Sequence, residues 1–140
     1  SAATGETITL SMQNDQSMQL LRVLPGTFPI SLQVREGYLV PLFETGIGAA
    51  FLSTLDDEAI RRLAERPSPR AMRRQGWVAA YDRLTADTGA VAMPLPAPID
   101  GRALVVAIAG LTDRIRRNET QLLRTLRRTV ARHHPGERAR

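Results

Sequence analysis

Alternation of apolar and polar residues with a period of two recurs in two separate groups, and that grouping limits the fold more than any other feature. The first group is "ETITLSMQ" at 6–13, with Ile8, Leu10 and Met12 on one face, then "MQLLRVL" at 18–24, then "FPISLQVR" at 28–35 through Ile30, Leu32 and Val34. The second is "WVAAYDRL" at 77–84, "GAVAMPLPAP" at 89–98 and "RALVVAIAG" at 102–110. Alternation of this period marks half-buried strands. Helical patterns fill the middle and the end of the chain. Strands therefore cluster and do not alternate with helices, which predicts an α+β fold with a central antiparallel sheet of about six strands flanked by helices. A chain of 140 residues is expected to form one domain over 1–140. Residues 1–3 read as linker and 134–140 as a disordered tail.

Local signals divide these segments. Pro25-Gly26 ends the second strand, and a linker runs through Gly37 and Pro41. "TGIGAAFLSTL" at 45–55 reads as a glycine turn opening a helix, with Phe51, Leu52 and Leu55 on its apolar side. "LDDEAIRRLAE" at 55–65 reads as a second helix, with Asp56 as N-cap and acids in the first turn. Pro67 and Pro69 break it, and a short piece over 68–76 ends at Gly76. Asp100-Gly101 is a hairpin turn between the last two strands. From Thr112, a plausible N-cap, to about Arg132 the pattern is helical, with Ile115, Leu122, Leu126 and Val130 on one face.

Composition excludes several chemistries. There is no cysteine, hence no disulfide, thiolate metal site or cysteine nucleophile. All 19 basic residues are arginine, so Schiff-base and lysine-base chemistry are excluded. No run approaches the roughly 18–20 apolar residues of a membrane span. The first residues lack the basic start and apolar stretch of a signal peptide, and a cytoplasmic location is expected. The formal charge of +5 is uneven. Residues 111–140 hold nine arginines against three acids, and residues 1–110 hold ten against eleven. A phosphate-contacting tail is one reading; a solvated helix face is the plainer one.

The remaining motifs are weak. Gly46-x-Gly48 suggests a dinucleotide loop, but Phe51 stands at the third glycine position and no strand–helix–strand unit follows. Without a P-loop lysine a Walker motif is excluded. His133-His134 does not read as a metal site, because adjacent residues on a helix point apart. Asp56-Asp57-Glu58 sits where a helix dipole favours acids. No histidine lies outside the tail, so a serine triad lacks a base, and neither a catalytic residue nor a cofactor is expected.

Five fragments in order carry a resemblance: "TGETITL" at 4–10, "GYLVPLFETGIGAAFLS" at 37–53, "RRQGW" at 73–77, "AMPL" at 92–95 and "VVAIAGLTDR" at 105–114. Together they resemble the C-terminal effector-binding domain of IclR-family bacterial transcription regulators, over about Thr4 to His133. The resemblance implies a GAF-like, non-enzymatic domain that follows an N-terminal winged helix-turn-helix absent from this sequence. It also implies a small-molecule effector, often a carboxylic acid, bound between the sheet and the "TGIGAA" segment. Dimers or tetramers are implied, with DNA contacted only through the N-terminal domain and no membrane partner.

This sequence departs from the family at telling positions. Ala49 stands where relatives carry lysine. Ala80 stands where they often place an acid, Ala90 where they place cysteine or serine, and Ala107 and Ala109 where they place serines. The expected ligand-binding set is Leu32, Val40, Leu42, Thr45, Gly46, Ile47, Gly48, Ala80, Ala90, Ala107 and Ala109. It predicts an apolar cavity and a mostly apolar effector, aromatic or aliphatic, with any carboxylate held by main-chain N–H groups near Gly46, Ile47 and Gly48. The alternative is an oligomerisation module with a degenerate, ligand-free pocket. An enzyme or a direct nucleic-acid binder is a third reading, the latter weakened by the lack of aromatic residues for stacking. The sequence identifies neither the effector nor whether the regulator activates or represses.

Overall fold

The computed structural model describes residues 2–63 and 75–133. Its elements are β1 (Thr7–Asn14), β2 (Ser17–Leu24), β3 (Leu39–Pro41), α1 (Gly46–Leu52), α2 (Asp57–Leu63), β4 (Val78–Tyr81), β5 (Thr88–Pro94), β6 (Leu104–Leu111) and α3 (Thr112–His133). The six strands form one curled sheet in the order β3-β2-β1-β6-β5-β4. Every pairing is antiparallel, as the grouped alternation predicts. The piece expected over 68–76 and the tail over 134–140 lie largely or wholly outside the described residues.

The third strand is not where alternation placed it. Residues 28–35 join no ladder, and β3 lies at Leu39–Pro41, within the expected linker. Pro29 supplies no N–H to a ladder. The segment is pinned by side chains instead: Thr7 Oγ1 donates to the Leu32 carbonyl at 2.8 Å and Arg114 donates to the Ile30 carbonyl at 2.8 Å. It thus crosses the sheet as a cover, with Leu32 and Val34 half-buried.

The two faces of the sheet divide the core. On one face α1 and α2 pack on Met18, Leu20, Val78, Ala92, Val105 and Ala107. On the other, α3 lays Ile115, Leu122, Leu126 and Val130 on Val91 and Ile108. Strand β1 corrects the sequence reading. Thr7, Thr9 and Ser11 are its buried residues on the α1 side, while Ile8, Leu10 and Met12 are only half-buried on the α3 side. In β2 a bulge at Leu21 shifts the pairing from Leu10↔Arg22 to Ser11↔Leu20. Because an extra residue reverses the alternation, Val23 joins Met18 and Leu20 on the α1 side.

Helix starts and turns follow local chemistry. Asp56 Oδ1 accepts from the Ala59 N–H at 2.7 Å, capping α2. Asp100 (φ 50°) and Gly101 (φ 72°) form the expected two-residue turn, closed by Ile99 and Arg102. Thr112 opens α3, and its hydroxyl donates to Asp82 at 2.9 Å.

Small residues on the α3 side let polar groups lie against the sheet. A Cβ on Gly110 would overlap the Glu6 carboxylate, and one on Gly89 would meet the Tyr81 ring at 2.8 Å. Glu6 is 2% exposed and takes two bonds from Arg114, at 2.7 and 2.9 Å. The Arg114 guanidinium also lies 4.4 Å from the Phe28 ring centre. Tyr81 donates to Glu119, and Arg116 stacks on its ring at 4.5 Å. Burial, then the Glu119 carboxylate, push the Tyr81 phenol above its ordinary value.

Removing one member of a buried ion pair leaves the other charge uncompensated. Arg114→Met is therefore expected to lower unfolding free energy by about 3 kcal/mol. Adding Glu6→Gln to it should restore part of that loss in urea titrations. A double variant weaker than Arg114→Met alone would contradict this account.

Candidate functional site

The α1 side of the sheet has an unusually low floor near β4. Cross-strand registers align Ala80, Ala90, Ala109 and Thr7 in one row, and Val78, Ala92, Ala107, Thr9 and Val23 in the next. Thr7 reaches the Leu32 carbonyl and the Ala80 methyl lies against Gly46, but the alanines and Thr9 are too short to fill the space beneath α1 and the covering segment. The space left is a cavity of about 70 Å³. Its floor includes Thr9, Ala80, Ala90, Ala107 and Ala109, its roof Leu32, Val34, Val40, Thr45, Gly46 and Ile47, and Leu20, Arg83, Leu84, Thr88 and Gly89 complete the lining. The Phe43, Phe51 and Trp77 rings do not line it.

Nine of the eleven expected residues line this cavity, and Leu42 and Gly48 do not. Leu42 is fully buried in the core. Gly48 turns toward its own chain: a Cβ there would overlap the Leu42 carbonyl. Its N–H is also taken, donating to Thr45 Oγ1 at 3.1 Å, while the Thr45 hydroxyl donates to the Pro41 carbonyl at 2.7 Å. The Gly48 N–H is therefore not offered to a ligand. Gly46 faces Ala80, where an added Cβ would sit 2.9 Å from the alanine methyl. The glycines thus serve the packing of α1 on its neighbours.

Gly46 and Ala80 also border a second hollow of about 340 Å³, which Phe43, Glu44, Ala49, Tyr81 and Arg83 help to line. Ala49 belongs to that hollow and not to the cavity.

Sequence reasoning missed Thr9, Leu20, Val34, Arg83, Leu84, Thr88 and Gly89. Arg83 and Leu84 sit on the β4–β5 connection, which Asp82 organises: its Oδ1 accepts from the Asp87 N–H and from Thr112 Oγ1, each at 2.9 Å. The Asp82 N–H also donates to the Thr88 carbonyl at 2.8 Å. The connection is tied to the start of α3, and Arg83 and Leu84 stand at the exposed rim. Thr9 could have been found from alternation alone, had the polar side of β1 been considered as the buried one.

The described residues contain no group of three or more metal-ligating side chains. No described helix is long and apolar enough to cross a membrane. The arrangement is a hydrophobic hollow with few polar groups, suited to binding a small guest.

A sheet covered on both faces, with a hollow under a short helix, is the architecture of a small-molecule-binding domain. Residues 1–134 match the family described as bacterial transcriptional regulator IclR C-terminal. The chain belongs to that family, as a non-enzymatic effector domain of a transcription regulator. Its fold is similar to the effector domain of the transcriptional regulator IclR from Acinetobacter sp. ADP1, with TM-score 0.85 and 23% identity over 97% of this chain and 90% of that one. An IclR-family regulator from Brucella abortus gives 0.75 at 19% identity, covering 93% of this chain and 56% of that one. HmgR from Pseudomonas aeruginosa gives 0.75 at 18%, covering 99% and 63%. No curated protein matches the chain at a significant level.

The packing account distinguishes the two glycines. Gly48→Ala must displace main chain and is expected to cost about 3 kcal/mol, offset by roughly 1 kcal/mol of helix propensity. Gly46→Ala brings a Cβ to 2.9 Å from the Ala80 methyl, which moves only with its strand, so a small shift of α1 from β4 is required and a cost of about 1 kcal/mol, well below that of Gly48→Ala, is expected. Urea unfolding of both variants checks this, and equal effects would refute it.

Proposed function

We propose that this domain senses a small, mostly apolar effector in the cavity beneath α1. Binding there would alter DNA binding by an N-terminal winged helix-turn-helix. The observation that carries the reading is the alanine floor. Ala90 lies in an interior strand yet stays half-exposed, because it faces space and not a packed neighbour. The proposed contacts are Leu32, Val40, Thr45, Gly46, Ile47, Ala80, Ala90, Ala107 and Ala109.

Size sharpens the class of guest. A volume of about 70 Å³ is about half the roughly 150 Å³ that accepts benzene. A short aliphatic body fits this space; an aromatic ring requires Leu84 or the covering segment to shift. Self-association as a dimer or tetramer is part of the proposal, since sensing must be passed to paired DNA-binding domains.

The small volume also favours the rival reading, an oligomerisation module with a ligand-free pocket. Thermal-shift titration with aliphatic and aromatic acids separates the two. Saturation at a hundredfold excess over Kd stabilises a fold by about 2.7 kcal/mol. Stabilisation of the wild type by an aliphatic acid, lost in Ala90→Met with the fold retained, is the expected outcome. If no acid stabilises the wild type, Ala90→Met is at least as stable, and sedimentation shows concentration-dependent assembly, the module reading replaces it.

A further inference from the structure

Polar groups on the α1 side of β1 are satisfied with one exception. The Thr7 hydroxyl donates to the Leu32 carbonyl at 2.8 Å and the Ser11 hydroxyl to the Val105 carbonyl at 3.3 Å. Thr9 is 5% exposed and lines the cavity. Its hydroxyl has no hydrogen-bond partner among the described residues. Buried hydroxyls are nearly always bonded, so an orphan facing a hollow points to something that enters it.

A second uncommitted group stands at the exposed rim. Arg83 is the one charged residue lining the cavity, and its guanidinium makes no hydrogen bond or ion pair among the described residues. The other polar lining side chains are engaged. The Thr45 hydroxyl donates to Pro41, and the Thr88 hydroxyl donates to the Thr85 carbonyl at 2.6 Å.

We propose that Thr9 and Arg83 form a two-point recognition site for a short aliphatic acid that carries a second hydrogen-bonding group, a hydroxyl or carbonyl, away from its carboxylate. The proposal rests on the sensing function above and adds the orientation and polarity of the guest. The second polar group descends to the Thr9 hydroxyl. The apolar body lies along Ala90, Ala107 and Ala109. The carboxylate stays at the rim, where it keeps water and meets the Arg83 guanidinium. The reverse orientation would bury a charge against a floor offering a single hydroxyl. Neither contact uses the Gly48 N–H, which Thr45 already occupies.

The test is an NMR titration of this domain with matched straight-chain acids of about three to six carbons, with and without a terminal hydroxyl. For the wild type the hydroxylated member of the best-fitting pair should bind about fivefold tighter. Thr9→Val should erase that preference, and Thr9→Ser should keep it. Arg83→Gln should weaken both members about fivefold, and Arg83→Lys should recover part of the loss. Without ligand, Thr9→Val should melt no lower than wild type, because it removes an unbonded hydroxyl. Thr7→Val, which breaks a made bond, should melt lower. Acid binding that persists with an unchanged hydroxyl preference in Thr9→Val, or undiminished in Arg83→Gln, overturns the two-point site and leaves sensing intact. Failure of every acid to bind the wild type overturns both.

Discussion

Side-chain size across β4, β5, β6 and β1 governs the molecule. Where the sheet carries alanine and threonine toward α1, a helix anchored by its own tight packing cannot descend to the floor, and a hollow remains. Where it carries glycine toward α3, neighbouring side chains lie flat on the backbone. The Glu6 carboxylate covers Gly110 and the Tyr81 ring covers Gly89. One face therefore leaves space, and the other brings a buried ion pair and an aromatic ring between sheet and helix. Dispersion and burial depend on filled volume, so the α1 face, whose core gathers Met18, Leu42, Phe51 and Ile60, gives up packing only over the alanine floor.

At the glycine-rich start of α1, close approach of the chain to itself and close approach of a ligand leave the same signal in the sequence. Glycines before a helix suggest a bound phosphate or acid. Here one glycine accommodates a main-chain carbonyl of Leu42 and the other a methyl of Ala80. The threonine between Pro41 and Gly48 takes the Gly48 N–H internally. The uncommitted polar side chains available to a guest sit elsewhere, on β1 and on the β4–β5 connection. Both positions are distant in sequence from the segment that first suggests a site.

Much of the architecture was legible because it depends on local pattern. Grouped alternation predicted the antiparallel sheet, Asp100-Gly101 its last hairpin, and the 3.6-residue face of α3 its packing. The third strand was misplaced because alternation at Leu32 and Val34 reflects a covering segment that half-buries one side without entering a ladder, while Ile30 stays exposed. The site was partly legible through the alanines on β4, β5 and β6, which the family resemblance marks. Arg83 and Leu84 were not, since nothing local shows that a rim residue overhangs a hollow. Thr9 was missed because hydrophobicity assigns the buried side of β1 to Ile8, Leu10 and Met12. The side chains of Thr7 and Ser11 override that rule by bonding to carbonyls of the covering segment and of β6.

The bulge at Leu21 acts as a half-period phase slip. Upstream of it the even-numbered residues of β2 face α1; downstream the odd-numbered ones do. Val23, paired with Thr9, is the residue that the slip delivers to that face. In an uninterrupted strand the same face would receive Arg22 and Leu24, and a guanidinium would enter the row that floors the hollow. Instead Arg22 points to solvent, 3.4 Å from Glu36. One extra residue in a ladder thus sets the dielectric character of a chamber to which it contributes no atom.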